Sequence, residues 1–298
     1  MTDYFDPNPQ DLKVLITVKT YPTLSTKYAE TVCTAGITDD GKWIRLYPIP
    51  FRQIEDFDKR YPKYSWVDVR AIRRDTKKDF RVESFQPIDI NQIKVSPKIP
   101  TAKDPGWSKR RALTIDKVRI YDSLDELIAD SKRDSNPVPI SLAMFKPTEI
   151  LDFTWKPDDR TWNKGKVYEL ENQLSLFDDV GGNLKSSPFK VVDKLPFTFK
   201  YKFKDSKGKI SNLIITDWET GMLYWKSRKS TQTDEEACQK VKQRYFDDFI
   251  KKDIYFYMGT VFNNHLLNRP NPFSIIGVFY PPFLPEGFTK QLNIFEDI

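Results

Sequence analysis

The sequence predicts a mainly β protein of the α+β class, with two β-rich modules and a few helices. Residues 197–204 alternate between aromatic and polar side chains, which is the period of a strand with two unlike faces. Turn-forming residues at 205–208 and an apolar run at 210–216 follow, so this stretch predicts a β-hairpin. The two halves of the chain also end on similar peptides, which indicates two related modules.

Strand signals dominate the first 90 residues. Apolar runs predict one strand at 13–19 and a hairpin made by 31–37 and 43–49, with the turn at Asp39, Asp40 and Gly41. A second hairpin is predicted from 64–72 and 80–85, joined by a charged turn.

Capping residues predict where the helices begin. Ser123 with Glu126, and Thr233 with Glu236, have the spacing of capping boxes. The second box opens the longest predicted helix, near 233–252, and strands are expected at 254–261 and 273–279. A Gly-Gly-Asn linker at 181–183 places the boundary between an N-terminal module, 1–180, and a C-terminal module, 184–298.

Composition favours a folded chain with a basic surface. The 298 residues are 39% hydrophobic, enough for a core, and the formal net charge is +6. Residues 59–119 alone carry 17 basic and 7 acidic side chains, which favours contact with a polyanion. The polar start and the lack of a long apolar run predict a cytoplasmic protein without a membrane partner.

Several enzyme classes lack their motifs. Neither a P-loop nor a dinucleotide-binding glycine motif occurs, and the chain has only 11 glycines. Cys33 and Cys238 stand far apart, so they form neither a zinc-ribbon pattern nor a disulfide framework. The one histidine, His265, lies in a loop-like stretch without triad partners. We therefore expect no cofactor, and a binding protein is favoured over an enzyme.

Aromatic residues among basic ones favour binding of single-stranded DNA or RNA, because bases stack on aromatic faces while cations contact phosphates. The alternative for the lysine face of 197–204 is a solvated strand whose lysines protect a sheet edge. The candidate nucleic-acid-binding residues are Lys42, Arg45, Tyr47, Arg70, Arg73, Arg74, Lys77, Lys78, Trp107, Lys109, Arg110, Arg111, Lys200, Lys202 and Lys204.

The alternative function is that of a metal-dependent nuclease. Asp217 and Glu219 have the alternating spacing that places both carboxylates on one strand face, and Lys226 lies downstream. Clustered carboxylates of this kind hold Mg²⁺ in many nucleases.

The similar peptides at the ends of the halves suggest a protein partner. Both resemble the pentapeptide with which bacterial polymerases and repair proteins dock on the replicative sliding clamp, where leucine and phenylalanine fill an apolar pocket. A protein-interaction adaptor is therefore a further alternative. Equally, both peptides could be module ends that pack on their own cores. The candidate partner-binding residues are Gln173, Leu174, Leu176, Phe177, Gln291, Leu292, Ile294 and Phe295.

Four segments resemble the dual OB-containing domain family of little-characterised bacterial proteins: KTYPTLS at 19–25, WIRLYPIPF at 43–51, DWE at 217–219, and PFSIIGVFYPP at 272–282. The resemblance implies two OB-like β-barrels and a bacterial defence or mobile-element context. It brings no catalytic residues. Together with the clamp-like peptides, it suggests a non-catalytic nucleic-acid-binding protein in bacterial defence or DNA maintenance.

Overall fold

The computed structural model describes residues 2–25, 29–50, 61–75, 77, 79–134, 138–163, 165 and 193–285. Both clamp-like peptides, Lys78 and the 181–183 linker lie outside the described residues.

The described residues of the first half form seven strands, and five of them close into a barrel. The strands are β1 (Gln10–Lys19), β2 (Thr23–Ser25), β3 (Ala29–Ile37), β4 (Trp43–Pro50), β5 (Trp66–Arg73), β6 (Ser84–Pro87) and β7 (Lys94–Val95). The barrel runs β1-β3-β4-β6-β5 and returns to β1, with β4 and β6 parallel. This closed order is that of an OB-fold barrel.

Alternating side chains fill the barrel. Val14, Ile16, Ile44, Leu46 and Phe85 belong to one buried cluster inside it. Their neighbours in sequence point outward, because successive residues of a strand face opposite ways. Both predicted hairpins of this half are confirmed, as β3 with β4 and as β5 with β6.

The described residues from 120 onward form a second unit, which contains seven more strands in two sheets. They are β8 (Ile120–Tyr121), β9 (Leu142–Phe145), β10 (Glu149–Pro157), β11 (Phe197–Lys204), β12 (Ile210–Ile214), β13 (Tyr255–Thr260) and β14 (Phe273–Phe279). One sheet has the order β10-β11-β12 and the other the order β14-β13-β9-β8. A parallel bridge between Ile215 and Ile275 links them. Strands β9 and β10 thus pair with strands from 197–279, and residues 142–157 lie in the second unit.

Few helices accompany the strands in the described part of the chain. They are α1 (Ser108–Leu113), α2 (Leu124–Ser131), α3 (Trp218–Arg228), α4 (Asp234–Lys242) and α5 (Phe262–Leu266). A π-helical turn, Gln243–Asp248, and a 3₁₀ turn, Phe249–Lys251, extend α4 to the length predicted from sequence. Both predicted helix starts are confirmed, since Ser123 and Thr233 are N-caps whose side chains accept from the amides of Glu126 and Glu236. None of the described helices is long and apolar enough to cross a membrane.

Two local predictions are wrong. Asp217 and Glu219 do not lie on a strand: Asp217 caps the N-terminus of α3, and its carboxylate accepts from the Glu219 amide at 3.4 Å. Capping satisfies an otherwise unpaired helix donor, which the alternating spacing could not reveal. His265 is not in a solvated loop. It is buried in α5 and makes hydrogen bonds with Thr260 Oγ1 and the Ser131 carbonyl, and burial lowers its pKa.

The two units share a third apolar cluster. Val18 and Ala35, on the outside of the barrel, pack with Met144, Tyr257 and Phe279 of the β14-β13-β9 sheet. The barrel is therefore seated on the second sheet, and its β3–β4 face is turned toward the second unit.

Candidate functional site

A cavity of about 620 Å³ lies between the barrel and the second unit. We call it the inter-module cavity. On the barrel side it is lined by β3 and β4, by residues 20–22 of the connection after β1, and by Arg74, Asp79 and Arg81 of the β5–β6 connection. In OB folds, the second and third strands and these two connections form the face that binds oligonucleotides and oligosaccharides. The cavity thus lies at the position where this fold places its ligands.

Strand β4 supplies Arg45 and Tyr47 to the cavity. Ile44 and Leu46 point into the barrel, so the alternate residues Arg45 and Tyr47 point away from it. Tyr47 is partly exposed, and the Arg74 guanidinium lies 5.0 Å from its ring centroid. Arginine over an aromatic face is a cation–π contact that holds both groups in place.

The β5–β6 connection is held by a buried ion pair. Asp79 accepts two hydrogen bonds from Arg81, at 2.8 Å from Nε and 2.7 Å from Nη2. Burial opposes ionisation of Asp79, but the bonds from Arg81 outweigh it and lower the pKa of the carboxyl. Arg81 also donates to the Thr260 carbonyl at 3.3 Å, and its guanidinium lies 5.1 Å from the Phe262 ring centroid. The connection is therefore attached to the second unit.

Arg45 makes a second bond between the units. Its Nη2 donates to Ser141 Oγ at 3.0 Å, and its Nη1 donates to Cys33 Sγ at 3.1 Å. Ser141 Oγ in turn donates to Glu83, whose carboxylate lies 3.9 Å from Arg45. Because Arg45 is only 3% exposed, it fixes the cavity wall rather than reaching into solvent.

Tyr21, Trp162 and Lys194 also line the cavity. Tyr21 is fixed by its amide, which donates to the Thr216 carbonyl at 2.7 Å, and by Trp225 Nε1, which donates to its hydroxyl at 2.8 Å. Lys194 pairs with Asp158 at 3.0 Å and lowers the pKa of that carboxyl.

The cavity lining has an excess of positive charge. Four cationic side chains, Arg45, Arg74, Arg81 and Lys194, stand against two carboxylates in the lining, Asp79 and Asp158. Arg45 and Arg81 are buried and hold the cavity wall, so Arg74 and Lys194 are the cations of the lining that a ligand can reach. Four partly exposed aromatic residues, Tyr21, Tyr47, Trp162 and Phe262, belong to the same lining. Aromatic surface with surplus cations can stack bases and contact phosphates.

Strand β11, which carries Lys200, Lys202 and Lys204, lies beside this cavity. Its aromatic residues are buried and its lysines lie on the opposite face, as the alternation predicts. Thr198 and Ile214 line the cavity and share the outer face of the β10-β11-β12 sheet with Lys200, which lies directly opposite Ile214. Lys202 and Lys204 follow on the same face.

Asp217 and Glu219, the alternative metal ligands, form a different cluster. Lys63 Nζ donates to Asp217 Oδ1 at 2.6 Å and to Glu219 Oε2 at 3.1 Å. Burial raises the pKa of Asp217 to about 6 even though Lys63 opposes the shift, whereas Lys63 lowers the pKa of Glu219. Within the described residues no three His, Cys, Asp or Glu side chains are grouped so that they could hold a metal ion. Lys63, which lies in the first unit, thus forms ion pairs with two carboxylates of the second unit.

Of the predicted nucleic-acid-binding residues, the structure brings Arg45, Tyr47 and Arg74 to the cavity, with the lysine row beside it. Others lie elsewhere on the barrel. Lys42 pairs with Asp40 and Arg70 with Asp11, while the Arg73 guanidinium lies 5.6 Å from the Phe5 ring centroid. Lys77 is exposed in the β5–β6 connection.

The structure corrects the expectation for Trp107, Arg110 and Arg111, whereas Lys109 is exposed and its role stays a prediction. Trp107 packs on Phe279 and Tyr280. Arg110 is buried, donates to the Ile99 carbonyl and lies over the Tyr64 ring. Arg111 is 7% exposed and bonds to the Gly106 and Pro282 carbonyls and to the Asp253 carboxylate. The guanidinium groups of these two arginines are turned away from solvent, because they donate hydrogen bonds to other segments of the chain.

The charged and aromatic cavity residues that the sequence reasoning missed are Tyr21, Asp79, Arg81, Asp158, Trp162, Lys194, Phe197 and Phe262. Asp79 and Arg81 had a signal, because they belong to the charged segment between β5 and β6. For Trp162 and Lys194 no signal in the sequence indicated contact with the barrel, 80 or more residues away in the chain.

Two family models match the chain, one over the barrel and one over the second unit. Residues 10–116 match the model described as Domain of unknown function (DUF8758), and residues 120–298 match Domain of unknown function (DUF8757). The second match covers more than half of the chain. The chain belongs to the DUF8757 family. No curated protein sequence matches it.

Among solved structures, the chain aligns with one titled "Crystal structure of the tetrameric p202 HIN2". The alignment covers 93% of this chain and 92% of that one, at 6% identity and a TM-score of 0.28. A TM-score this low does not establish a shared fold.

Proposed function

We propose that this protein binds single-stranded nucleic acid in the inter-module cavity. The observation that carries the proposal is the coincidence of the OB ligand face with a cavity lined by four partly exposed aromatic residues and by cations. Each base stacked on an aromatic side chain contributes about 1–3 kcal/mol, and the cations contact the phosphates.

The size of the cavity favours a single strand. A volume of about 620 Å³ is that of an ordinary ligand site and is far too small for a duplex. Stacking on Tyr47 also requires an unpaired base, because bases in a duplex already stack on their neighbours. DNA and RNA both satisfy these requirements.

The wider context is also part of the proposal. The resemblance at 43–51 and 272–282 supports a bacterial defence role, and the clamp-like peptides at 173–177 and 291–295 support a link to DNA maintenance through the sliding clamp. The clamp contact stays a prediction from the sequence, as do the two alternatives, a protein-interaction adaptor and a magnesium-dependent nuclease.

Fluorescence anisotropy tests the proposal. Labelled single strands of DNA and RNA and the matching duplexes are titrated with the protein at low and at physiological salt. We expect the single strands to bind more tightly than the duplexes, with affinity that falls as salt rises. Tyr47→Ala should weaken single-strand binding about tenfold, because one stacked base is lost. Tyr47→Phe is the matched control and should stay within about twofold, since it keeps the ring.

A second pair of variants tests the charge. Arg74→Gln removes a cation and should weaken binding, whereas Arg74→Lys keeps the charge but loses the planar group over the Tyr47 ring, so it should weaken binding less than Arg74→Gln does. Equal binding of duplex and single strand, or a Tyr47→Ala variant that binds like wild type, would refute the cavity as the site. The same mixtures with magnesium, run on a gel, test the nuclease alternative, which requires strand cleavage that Asp217→Asn abolishes.

A further inference from the structure

The outer face of the β10-β11-β12 sheet continues from the cavity without interruption. Thr198 and Ile214 are on that face and line the cavity, and Lys200, Lys202 and Lys204 follow along β11. Alternate residues of a strand stand about 7 Å apart, so the three lysines form a row about 13 Å long. We call Lys200, Lys202 and Lys204 the lysine row.

The charges on this face favour a polyanion. Residues that face each other on β10 and β11 share this outer face, which carries the two carboxylates Glu149 and Asp152 and four lysines. The lysines are Lys156, Lys200, Lys202 and Lys204. Lys204 pairs with Glu149 at 2.7 Å, and Asp152 is engaged by Lys242 at 2.7 Å. In the part of the chain that the structure describes, no carboxylate lies within ion-pair distance of Lys200 or Lys202. Their charges face solvent.

Apolar side chains accompany the lysines. Ile210 and Ile214 stand opposite Lys204 and Lys200 on β12, and they are 55% and 41% exposed. A face with both exposed isoleucines and unpaired lysines differs from a simply solvated one, because it offers contacts to bases and to phosphates. It suits a flexible strand that carries both groups.

We infer that a nucleic-acid strand bound in the cavity leaves it across Thr198 and Ile214 and follows the lysine row. This inference rests on the proposed function and divides the site into two parts. The cavity stacks bases, and the second unit supplies most of the phosphate contacts. Strands too short to leave the cavity do not touch the row.

The test compares two strand lengths in wild type and in the triple variant Lys200→Gln, Lys202→Gln, Lys204→Gln. The strands are about 4 and about 10 nucleotides long, within the site sizes found for OB folds. We expect the triple variant to bind the longer strand about tenfold more weakly at low salt and the shorter one within about twofold of wild type. For three lost phosphate contacts, the slope of log affinity against log salt should become shallower by about 2.

A matched variant controls for net charge. Lys117→Gln, Lys229→Gln and Lys251→Gln remove the same charge from exposed positions on other parts of the surface. The inference is overturned if the two triple variants have equal effects, or if the lysine-row variant weakens both strand lengths equally. Loss confined to the longer strand supports it. If wild type binds neither strand, the proposed function falls together with this inference, whereas wild-type binding without the length effect overturns the strand path alone.

Discussion

Replacing Lys63 with methionine should destabilise the protein by far more than the loss of a surface ion pair. The Lys63 and Asp217 side chains are only 5% and 1% exposed and come from different units. Methionine keeps most of the apolar stem but leaves the Asp217 carboxylate buried without its cation. Asp217 Oδ2 already has no hydrogen-bond partner among the described residues, so little else compensates the charge.

The expected cost is about 3–5 kcal/mol, the usual range for breaking a buried pair from one side. Adding Asp217→Asn to Lys63→Met should restore part of this stability. The amide is neutral, and asparagine caps helices as well as aspartate does. The double variant should therefore be more stable than Lys63→Met alone.

The cost should also depend on pH. Burial holds the pKa of Asp217 near 6 with Lys63 present, and removing the lysine raises it further. A carboxyl whose pKa is higher in the folded than in the unfolded state gains folding stability as pH falls through the folded value. The destabilisation by Lys63→Met should therefore be smaller at about pH 5.5 than at about pH 8.

Urea unfolding followed by tryptophan fluorescence and circular dichroism measures these values, provided that the two transitions coincide. A cost below about 1 kcal/mol would refute the reasoning, because it would mean that the pair behaves like an exposed one. If the destabilisation by Lys63→Met does not become smaller as the pH is lowered, Asp217 is not the group left without its partner.

Three further changes have clear expected outcomes. Burial and the nearby Lys63 lower the pKa of Lys19 to about 8, so the folding stability of the wild type should rise between about pH 8 and 10. Lys19→Met should remove this rise, and urea titrations of both proteins at each pH would show the difference. Gly221→Ala should weaken strand binding in the anisotropy assay, because the new Cβ would meet the Tyr21 ring at 2.3 Å and displace it; unchanged affinity would contradict this role for Tyr21. Thr233→Ala should cost about 1 kcal/mol in thermal unfolding by removing the cap of α4, while Thr233→Ser should cost little.

Much of the fold could be predicted because its signals are local. The alternation at 197–204, the turn at Gly41 and the capping residues Ser123 and Thr233 each specify a structure within a few residues. The error at Asp217 has the same origin, since an aspartate after an apolar run is compatible with both a strand and a helix cap. Local patterns also could not show that residues 142–157 pair with strands from 197–279.

The candidate site was only partly predictable because it depends on contacts between distant residues. Arg45, Tyr47 and Arg74 were identified as basic or aromatic residues on the first two hairpins, and they do line the cavity. Arg110 and Arg111 carry the same sequence signal but are buried as internal contacts, and Arg45 is also buried and holds the cavity wall. Tyr47 and Arg74 are the ones that a ligand in the cavity can reach. Composition indicates that cations are present, whereas burial decides which of them can meet a ligand.

The polar contacts between the units explain how an OB face can be largely covered and still form a defined site. An apolar interface alone, such as Val18 and Ala35 against Tyr257, tolerates small shifts because dispersion contacts have little directionality. Directional bonds do not tolerate them: Lys63 to Asp217, Arg45 to Ser141 and Arg81 to the Thr260 carbonyl each require one placement. Two of these bonds come from residues that line the cavity. The interactions that fix the two units against each other therefore also fix the cavity walls, so the binding site that we propose is formed before any ligand enters it.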